Sequence, residues 1–473
     1  MSSSSRNRDD VTSLPLDSKC QFLTTLTNIT IYINYNCSMT FATLLSRYRS
    51  WAFKGGFSIL DQGFFSGANF IISILLARWL TLSDYGAYVI AFTFYLLLTG
   101  FYNSFILEPM SVLGPAKYSE QLSDYLFIQI KLHGIMTGIL ALVVISLGWF
   151  MFDWINKSLG NAFMGIGFAI PFLLLLWIVR RIFYILMQPS SAFLISTIYF
   201  IFSLVGIITL HFVGSLNLFT CFLVIGAASL IASIFLFWKK SDLEFNKNFS
   251  ALAWRTLVKE QWLYGRWIAA TTILSFLANQ IQVFLLAGLI NLPVAGALDA
   301  LQNFIAPIAQ GIVAIATLAL PVVSSDFGRA NFSSIRRKSV ILAIILTFIA
   351  SVYEILLWCF PAQLETLLYG GKYSNFSFLI PILGLIPVLT AITTGYSLAL
   401  RAIQRPQFYL IYGMIVAPVG LLTGVIFTYY WGLEGAIWSL VINSLITLII
   451  HMILYRKWYI NSIIMKKVNY ESD

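Results

Sequence analysis

Ionisable and amide side chains recur inside long apolar runs of this chain, where a charge is costly unless it faces water or a partner. On the first run Lys54, Ser58, Asp61, Phe65 and Asn69 fall three or four residues apart and share one helical face. On the eighth, Asp299, Gln302, Asn303, Ala306 and Gln310 do the same. The seventh adds Arg266, Asn279, Gln280 and Gln282, and the third adds Lys131 and His133. A carboxylate in such a setting can carry a proton or a cation, so Asp61, Asp299 and Glu354 are candidate coupling groups for H+ or Na+. Amides offer donors and acceptors to a polar solute, so Asn69, Asn279, Gln280, Gln302, Asn303 and Gln310 are candidates to line a hydrophilic cavity, together with Asp61 and Asp299. Lys54, Lys131 and Arg266 sit near run ends and are candidates to receive a phosphate group.

Each assignment has a plainer alternative. The amides could hold helices together by hydrogen bonds, Glu354 could pair with a neighbouring helix, and the cations could snorkel to anionic headgroups. Arg180 and Arg181 read as topology determinants, and His133 and His211 as packing residues. Catalytic patterns are missing: there is no P-loop, no HExxH and no Asp-x-Asp pair, so neither an enzyme nor a bound metal or cofactor is expected. Cys20 and Cys37 lie near the amino terminus and Cys221 and Cys359 in apolar runs, without the short spacing of a zinc or redox site.

The elements that position these residues follow from composition. Of 473 residues, 59% are hydrophobic and 10% charged, against about 25% charged in a soluble domain. The solvent of such a surface must be lipid. A bilayer core about 30 Å thick needs roughly 20 apolar residues per helix, and twelve such runs are present: 55–77, 86–107, 126–152, 161–180, 192–213, 217–238, 264–290, 294–323, 339–360, 377–400, 408–430 and 433–455. With both termini cytoplasmic, the outer loops hold only Arg78, Lys157 and Lys372 of the 29 Lys and Arg residues. That bias accounts for most of the net charge of +10, so the charge gives no reason to expect a nucleic-acid partner. The expected organisation is a disordered cytoplasmic tail over 1–50 with Met39 as an alternative start, a six-helix bundle over 51–238, a basic cytoplasmic linker over 239–263, a second bundle over 264–455, and a cytoplasmic tail over 456–473.

Sliding residues 55–94 against 265–304 without gaps aligns eleven identities, among them Gly55/Gly265, Asn69/Asn279, Leu75/Leu285, Ala77/Ala287, Gly86/Gly296 and Phe94/Phe304. Paired Asn and Gly are not demanded by hydrophobicity, so helices one and two recur as helices seven and eight. Six spans per half is an even number, so both halves enter the bilayer from the same side. The fold class is therefore an all-α polytopic membrane protein with about twelve transmembrane helices in two pseudo-symmetric bundles around a central cavity, related by an axis along the membrane normal. A duplicated static scaffold is the alternative.

The stretch "ILLARWLTLSDYGAYVIAFTF", with Pro109 in "ILEPMSVLG" and Pro321 in "LALPVVSSDFG", resembles the oligosaccharide (O-antigen type) flippases of the MATE-like, or MOP, transporter superfamily. The resemblance covers about residues 51–455 and has no invariant catalytic signature. It implies export of an undecaprenyl-diphosphate-linked oligosaccharide across the bacterial inner membrane for lipopolysaccharide or exopolysaccharide synthesis. The partners it implies are the lipid-linked substrate, membrane lipids, and a polysaccharide polymerase with its chain-length machinery. Alternatives are a cation-coupled multidrug antiporter of the same superfamily, and a polysaccharide polymerase or glycosyltransferase, which the short outer loops disfavour. A lipid II flippase is a close relative, for which two further helices would be expected.

The charge bias makes a direct prediction. Reporter fusions after Lys240 and at the carboxyl terminus should show cytoplasmic activity only; periplasmic activity at either would refute the twelve-span topology.

Overall fold

The computed structural model describes residues 53–239, 251–328, 331–402 and 407–470. The expected amino-terminal tail, with Cys20, Cys37 and Met39, lies outside the described residues. Two compact units divide the chain, 1–57 and 58–473; the helix packing is that of the second.

Helix α1 spans Phe53–Trp79. It is followed by α2 (Leu82–Tyr102), α3 (Glu108–Lys117), α4 (Leu122–Trp154), α5 (Lys157–Ile185), α6 (Pro189–Phe212) and α7 (Leu218–Lys239). The second half comprises α8 (Ala251–Asn279), α9 (Ile281–Leu289), α10 (Leu292–Gln302), α11 (Ala306–Gly328), α12 (Phe332–Cys359), α13 (Pro361–Tyr369), α14 (Ile380–Ala402) and α15 (Gln407–Tyr470). Among the described residues nine helices are long and apolar enough to cross a membrane, and the bent pair α8–α9 makes a tenth. The shorter apolar stretch Leu218–Ile234 adds another. The longest helix supplies one more, because α15 reverses at Gly432, whose φ of 57° suits a residue without a side chain. Its two arms then lie side by side, with Thr423 Oγ1 and Ser439 Oγ 3.0 Å apart. The twelve expected passes are accounted for.

Several spans differ in detail from the hydropathy reading. The second runs from Leu82 to Lys117, with a π-turn over Asn103–Leu107 immediately before α3. The seventh bends by 51° between Asn279 and Ile281. A break there frees backbone groups, and the Asn443 side chain donates to the Ala278 carbonyl at 2.7 Å. The expected linker 239–263 is helical from Ala251 onward, and the expected tail beyond 455 continues α15. Glu260 explains the first of these differences: it pairs with Lys117 and accepts from the Tyr118 hydroxyl at 3.0 Å, tying α8 to the end of α3.

Within the first half α4 packs on α5, α5 on α7 and α6 on α7; within the second α12 packs on α14, and α14 and α8 on α15. Helix α12 shows the solvent. Leu346, Ala350 and Leu357 are buried against neighbours, while Ile344, Phe348, Val352 and Ile355 form an exposed apolar stripe, as expected of a lipid-facing surface.

The halves meet chiefly through α2 and α10. These are the repeated segments, and the repeat extends to their caps. The Thr81 hydroxyl accepts from the Asp84 amide at 3.1 Å, and the aligned Asn291 accepts from the Val294 amide at 3.0 Å. The aligned Gly86 and Gly296 face one another: a Cβ on Gly296 would lie 3.0 Å from Gly86 Cα, and one on Gly86 would collide with the Leu292 carbonyl. Residues equivalent by a twofold that also touch each other must lie beside its axis.

Gly86→Ala should therefore force α2 from α10 and cost roughly 1–3 kcal/mol, the range for an overpacked interior. Gly63→Ala, whose methyl meets nothing within 4 Å, should be close to neutral. Thermal unfolding of the detergent-purified proteins checks the pair.

Candidate functional site

Between the halves lies a cavity of about 470 Å³. Its walls come from α1 (Ser66, Asn69 and Ser73), α2 (Tyr88 and Phe92) and the α10–α11 span (Asp299, Asn303, Pro307 and Gln310). Pro307, one residue into α11, follows the interruption at 303–305; it lacks an amide donor, which suits the start of a helix. Of the sequence candidates the structure brings Asn69, Asp299, Asn303 and Gln310 to this cavity.

The Ser73 end is closed by a polar network that crosses between the halves. Asp299 Oδ2 accepts from the Tyr85 hydroxyl at 2.6 Å and from Ser73 Oγ at 3.3 Å. Asn303 Nδ2 donates to Ser73 Oγ at 2.9 Å and to the Tyr369 hydroxyl at 3.3 Å. Tyr369 in turn donates to the Ala300 carbonyl at 2.9 Å. Just beyond, Lys372 donates to the Ala77 carbonyl at 2.8 Å and to that of Leu80, capping the carboxyl end of α1 as a cation can. Burial pulls the Lys372 ammonium below its usual pKa, an effect opposed by the Asp84 carboxylate. Ser73, Tyr85 and Tyr369 were not among the sequence candidates. Ser73 could have been, since it lies one helical step beyond Asn69 on the same face; nothing in the sequence marks Tyr369.

Asp61 lies elsewhere. It is fully buried in the first half, held by Arg180 through Nε–Oδ1 at 3.2 Å and Nη2–Oδ2 at 2.8 Å. Tyr184 donates to Oδ2 at 2.6 Å and Ser196 to Oδ1 at 2.5 Å. The Arg180 guanidinium also stacks over Phe65, 4.2 Å from its centroid. Arg180 is thus 5% exposed and is the partner of Asp61, where the sequence suggested only a topology signal. The stripe Asp61–Phe65–Asn69 turns toward the first bundle: Asn69 accepts from the Tyr199 hydroxyl at 3.0 Å while remaining on the cavity wall.

The other candidates are dispersed. Asn279 is exposed and donates to its own Ser275 carbonyl at 2.9 Å, as the aligned Asn69 does to Phe65 at 3.0 Å. Gln280 sits at the bend between α8 and α9, and Gln302 at the end of α10; neither is on the cavity wall. Lys131 lies exposed, 4.5 Å from the Phe127 ring, and Arg266 exposed, 5.3 Å from that of Trp267. Lys54 belongs to the first compact unit. Glu354 is buried between α12 and α14 with its carboxylate against Gly384. His133 packs with the Tyr102 hydroxyl 2.9 Å from Nδ1, and His211 stacks on Trp79. Among the described residues no group of three or more His, Cys, Asp or Glu could hold a metal ion.

No protein family profile matches the sequence, and no curated relative does. The fold has solved counterparts. A multidrug resistance MATE family transporter of the MOP superfamily, in its inward-facing conformation, superposes with a TM-score of 0.70 at 13% identity, over 87% of this chain and 99% of that one. The lipid II flippase MurJ, inward closed, gives 0.64 at 16% identity over 90% and 92%. A MOP superfamily transporter from Pyrococcus furiosus, described as having a binding pocket of reverse polarity, gives 0.61 at 12% over 85% and 94%. The fold of this chain is that of MOP superfamily transporters.

Removing one partner of a buried ion pair strands the other, at about 3–5 kcal/mol. Asp61→Asn and Arg180→Gln should each lower thermal stability strongly, and the double replacement should cost less than the sum of the two. Additive losses in a double-mutant cycle would show that the two side chains do not interact.

Proposed function

We propose that this chain is a transporter, not an enzyme, that moves undecaprenyl-diphosphate-linked oligosaccharide units across the bacterial inner membrane for surface polysaccharide synthesis. The observation that carries this reading is the cavity lining. Asn69, Asn303 and Gln310 present amides, Ser66 and Ser73 hydroxyls, and Phe70, Tyr88 and Phe92 ring faces. Amides and hydroxyls match the hydroxyls of a sugar, and aromatic rings match its apolar C–H faces. The fold is shared with a lipid II flippase, which supports a lipid-linked cargo. Because the cavity lies between two repeated halves, rocking one against the other would present it alternately to each side of the membrane. In that cycle the polyprenyl chain stays in lipid, and the diphosphate is met by Lys131 and Arg266 at the cytoplasmic entrance. Both termini are cytoplasmic in this scheme. H+ or Na+ coupling through Asp61, Asp299 or Glu354 drives the cycle, and a polymerase with its chain-length machinery takes the product.

One observation favours a second reading, a cation-coupled multidrug antiporter. Among the described residues the cavity wall carries the carboxylate of Asp299 and no Lys or Arg, which suits a cationic solute better than a diphosphate.

Deleting the gene should deplete surface polysaccharide and leave lipid-linked intermediates on the cytoplasmic leaflet, with no change in resistance to cationic drugs. Complementation with Asn303→Ala or Gln310→Ala should lower export by about tenfold, the effect of losing roughly 1.4 kcal/mol of hydrogen bonding to cargo. Arg266→Glu should lower it further by adding repulsion. Normal surface glycan together with new drug sensitivity in the deletion strain would transfer the assignment to the antiporter.

A further inference from the structure

Two adjoining hollows on the second half belong to neither the central cavity nor the Asp61 cluster. The first, about 370 Å³, is a trough between α12 and α14 walled by Val340, Ala343, Ile344 and Ile392. The second, about 460 Å³, runs along Ile449, Met452 and Ile453 of α15 and holds Arg336 and Arg456. Tyr396 and Tyr455 border both, their rings 5.5 Å apart. The two arginines lie at the end of these helices that the charge bias makes cytoplasmic, where Lys457 adds to the basic character and Lys338 is paired with Asp326 at 2.7 Å.

A lipid-facing surface is expected to be apolar, so troughs alone signify little. Two features distinguish this place. The arginines form a basic pocket between transmembrane helices at a membrane boundary, the arrangement that takes anionic lipid headgroups, and guanidinium forks suit phosphate oxygens. Ser339 lines the first trough, is 3% exposed, and its hydroxyl has no hydrogen-bond partner. Such a group is costly to leave unsatisfied in an apolar setting. It lies three residues from Arg336 along α12, a rise of about 4.5 Å, which places a donor where the ester carbonyls of a lipid follow its phosphate. The trough continues two turns beyond, to Thr347.

We propose that this site holds an anionic diacyl phospholipid of the bilayer. Arg336 and Arg456 take the phosphate, Ser339 donates to an ester carbonyl, and the two acyl chains occupy the trough of α12–α14 and the face of α15. Two apolar walls meeting at a shared tyrosine pair suit a lipid with two chains; a single polyprenyl chain would fill one.

The test uses the full-length protein in phosphatidylcholine nanodiscs with and without phosphatidylglycerol, read by native mass spectrometry. No glycan substrate is present, so the result is independent of what the central cavity transports. The wild type should retain phosphatidylglycerol over phosphatidylcholine. The double variant Arg336→Gln, Arg456→Gln should lose that preference by roughly tenfold or more, on the contribution of two basic residues near a membrane surface. Ile344→Trp, which fills the trough and leaves the arginines in place, should lower retention as well, and it decides the matter alone if the double variant does not fold. Arg337→Gln, outside the hollows, should behave as the wild type. Undiminished phosphatidylglycerol retention by the folded variants would overturn the proposal. So would displacement of phosphatidylglycerol by an equal concentration of undecaprenyl phosphate, which would assign the site to a single-chain lipid.

Discussion

The contact between Gly86 and Gly296 sets the geometry on which the rest of the interface depends. Two helices normally stand 8–10 Å apart because their side chains intervene. Here α2 and α10 approach with backbone against backbone. That closeness lets Tyr85, the neighbour of Gly86, reach across to Asp299, one turn beyond Gly296. With a methyl at either glycine the hydroxyl and the carboxylate would separate, and the closed end of the cavity would lose its bridge. The same pair explains why the chain repeats itself: positions beside a pseudo-twofold axis meet their own equivalents, so both copies must stay small.

The buried acids differ in what holds them. Asp61 is bound by a guanidinium fork and two hydroxyls, all within one half. Such a cluster resists opening, because separating its members leaves charges stranded in low dielectric. Asp299 is held across the interface by the uncharged Tyr85 and Ser73. Hydrogen bonds of that kind contribute about 1.5–3 kcal/mol each and can be replaced by water when the interface parts. The strong pair lies inside one bundle, and the weaker bridge lies on the interface between the two. Neither acid is repeated: Asp61 aligns with Thr271 and Asp299 with Val89. The glycine contact and the helix caps repeat, and the acids do not.

The parts of this arrangement that were legible in sequence are those set by local physics. Apolar length fixed the spans, and the gap between 430 and 433 already marked the reversal at Gly432. Repetition of Gly and Asn against a uniform apolar background showed the duplicated segments and their place at the interface. The stripe on helix eight placed Asp299, Asn303 and Gln310 on one wall. What was not legible depends on distant partners. Arg180 meets Asp61 across 119 residues, and the bend at Gln280 is served by Asn443, 165 residues from the carbonyl it satisfies. Helical spacing assigns residues to a face but does not say which neighbour that face will meet, so Asp61 was expected on the cavity and is found inside the first bundle. Glu260 and Gln261 read as linker residues, yet contacts to Lys117 and Gln129 hold them in a helix.

The π-turn at Asn103–Leu107 bears on how this chain could have acquired its present register. A single π-turn is what remains when one extra residue is accommodated inside an α-helix without breaking it. Winding 103–107 as regular α-helix with every residue kept would swing each later side chain of α3 by about 100° around the helix axis. Lys117 and Tyr118 would then turn away from Glu260. The irregularity therefore works as a phase adjuster, setting the azimuth of α3 independently of α2. Glycine contact at one end of this span and ion pairing at the other can be satisfied together because the added residue absorbs the mismatch between them.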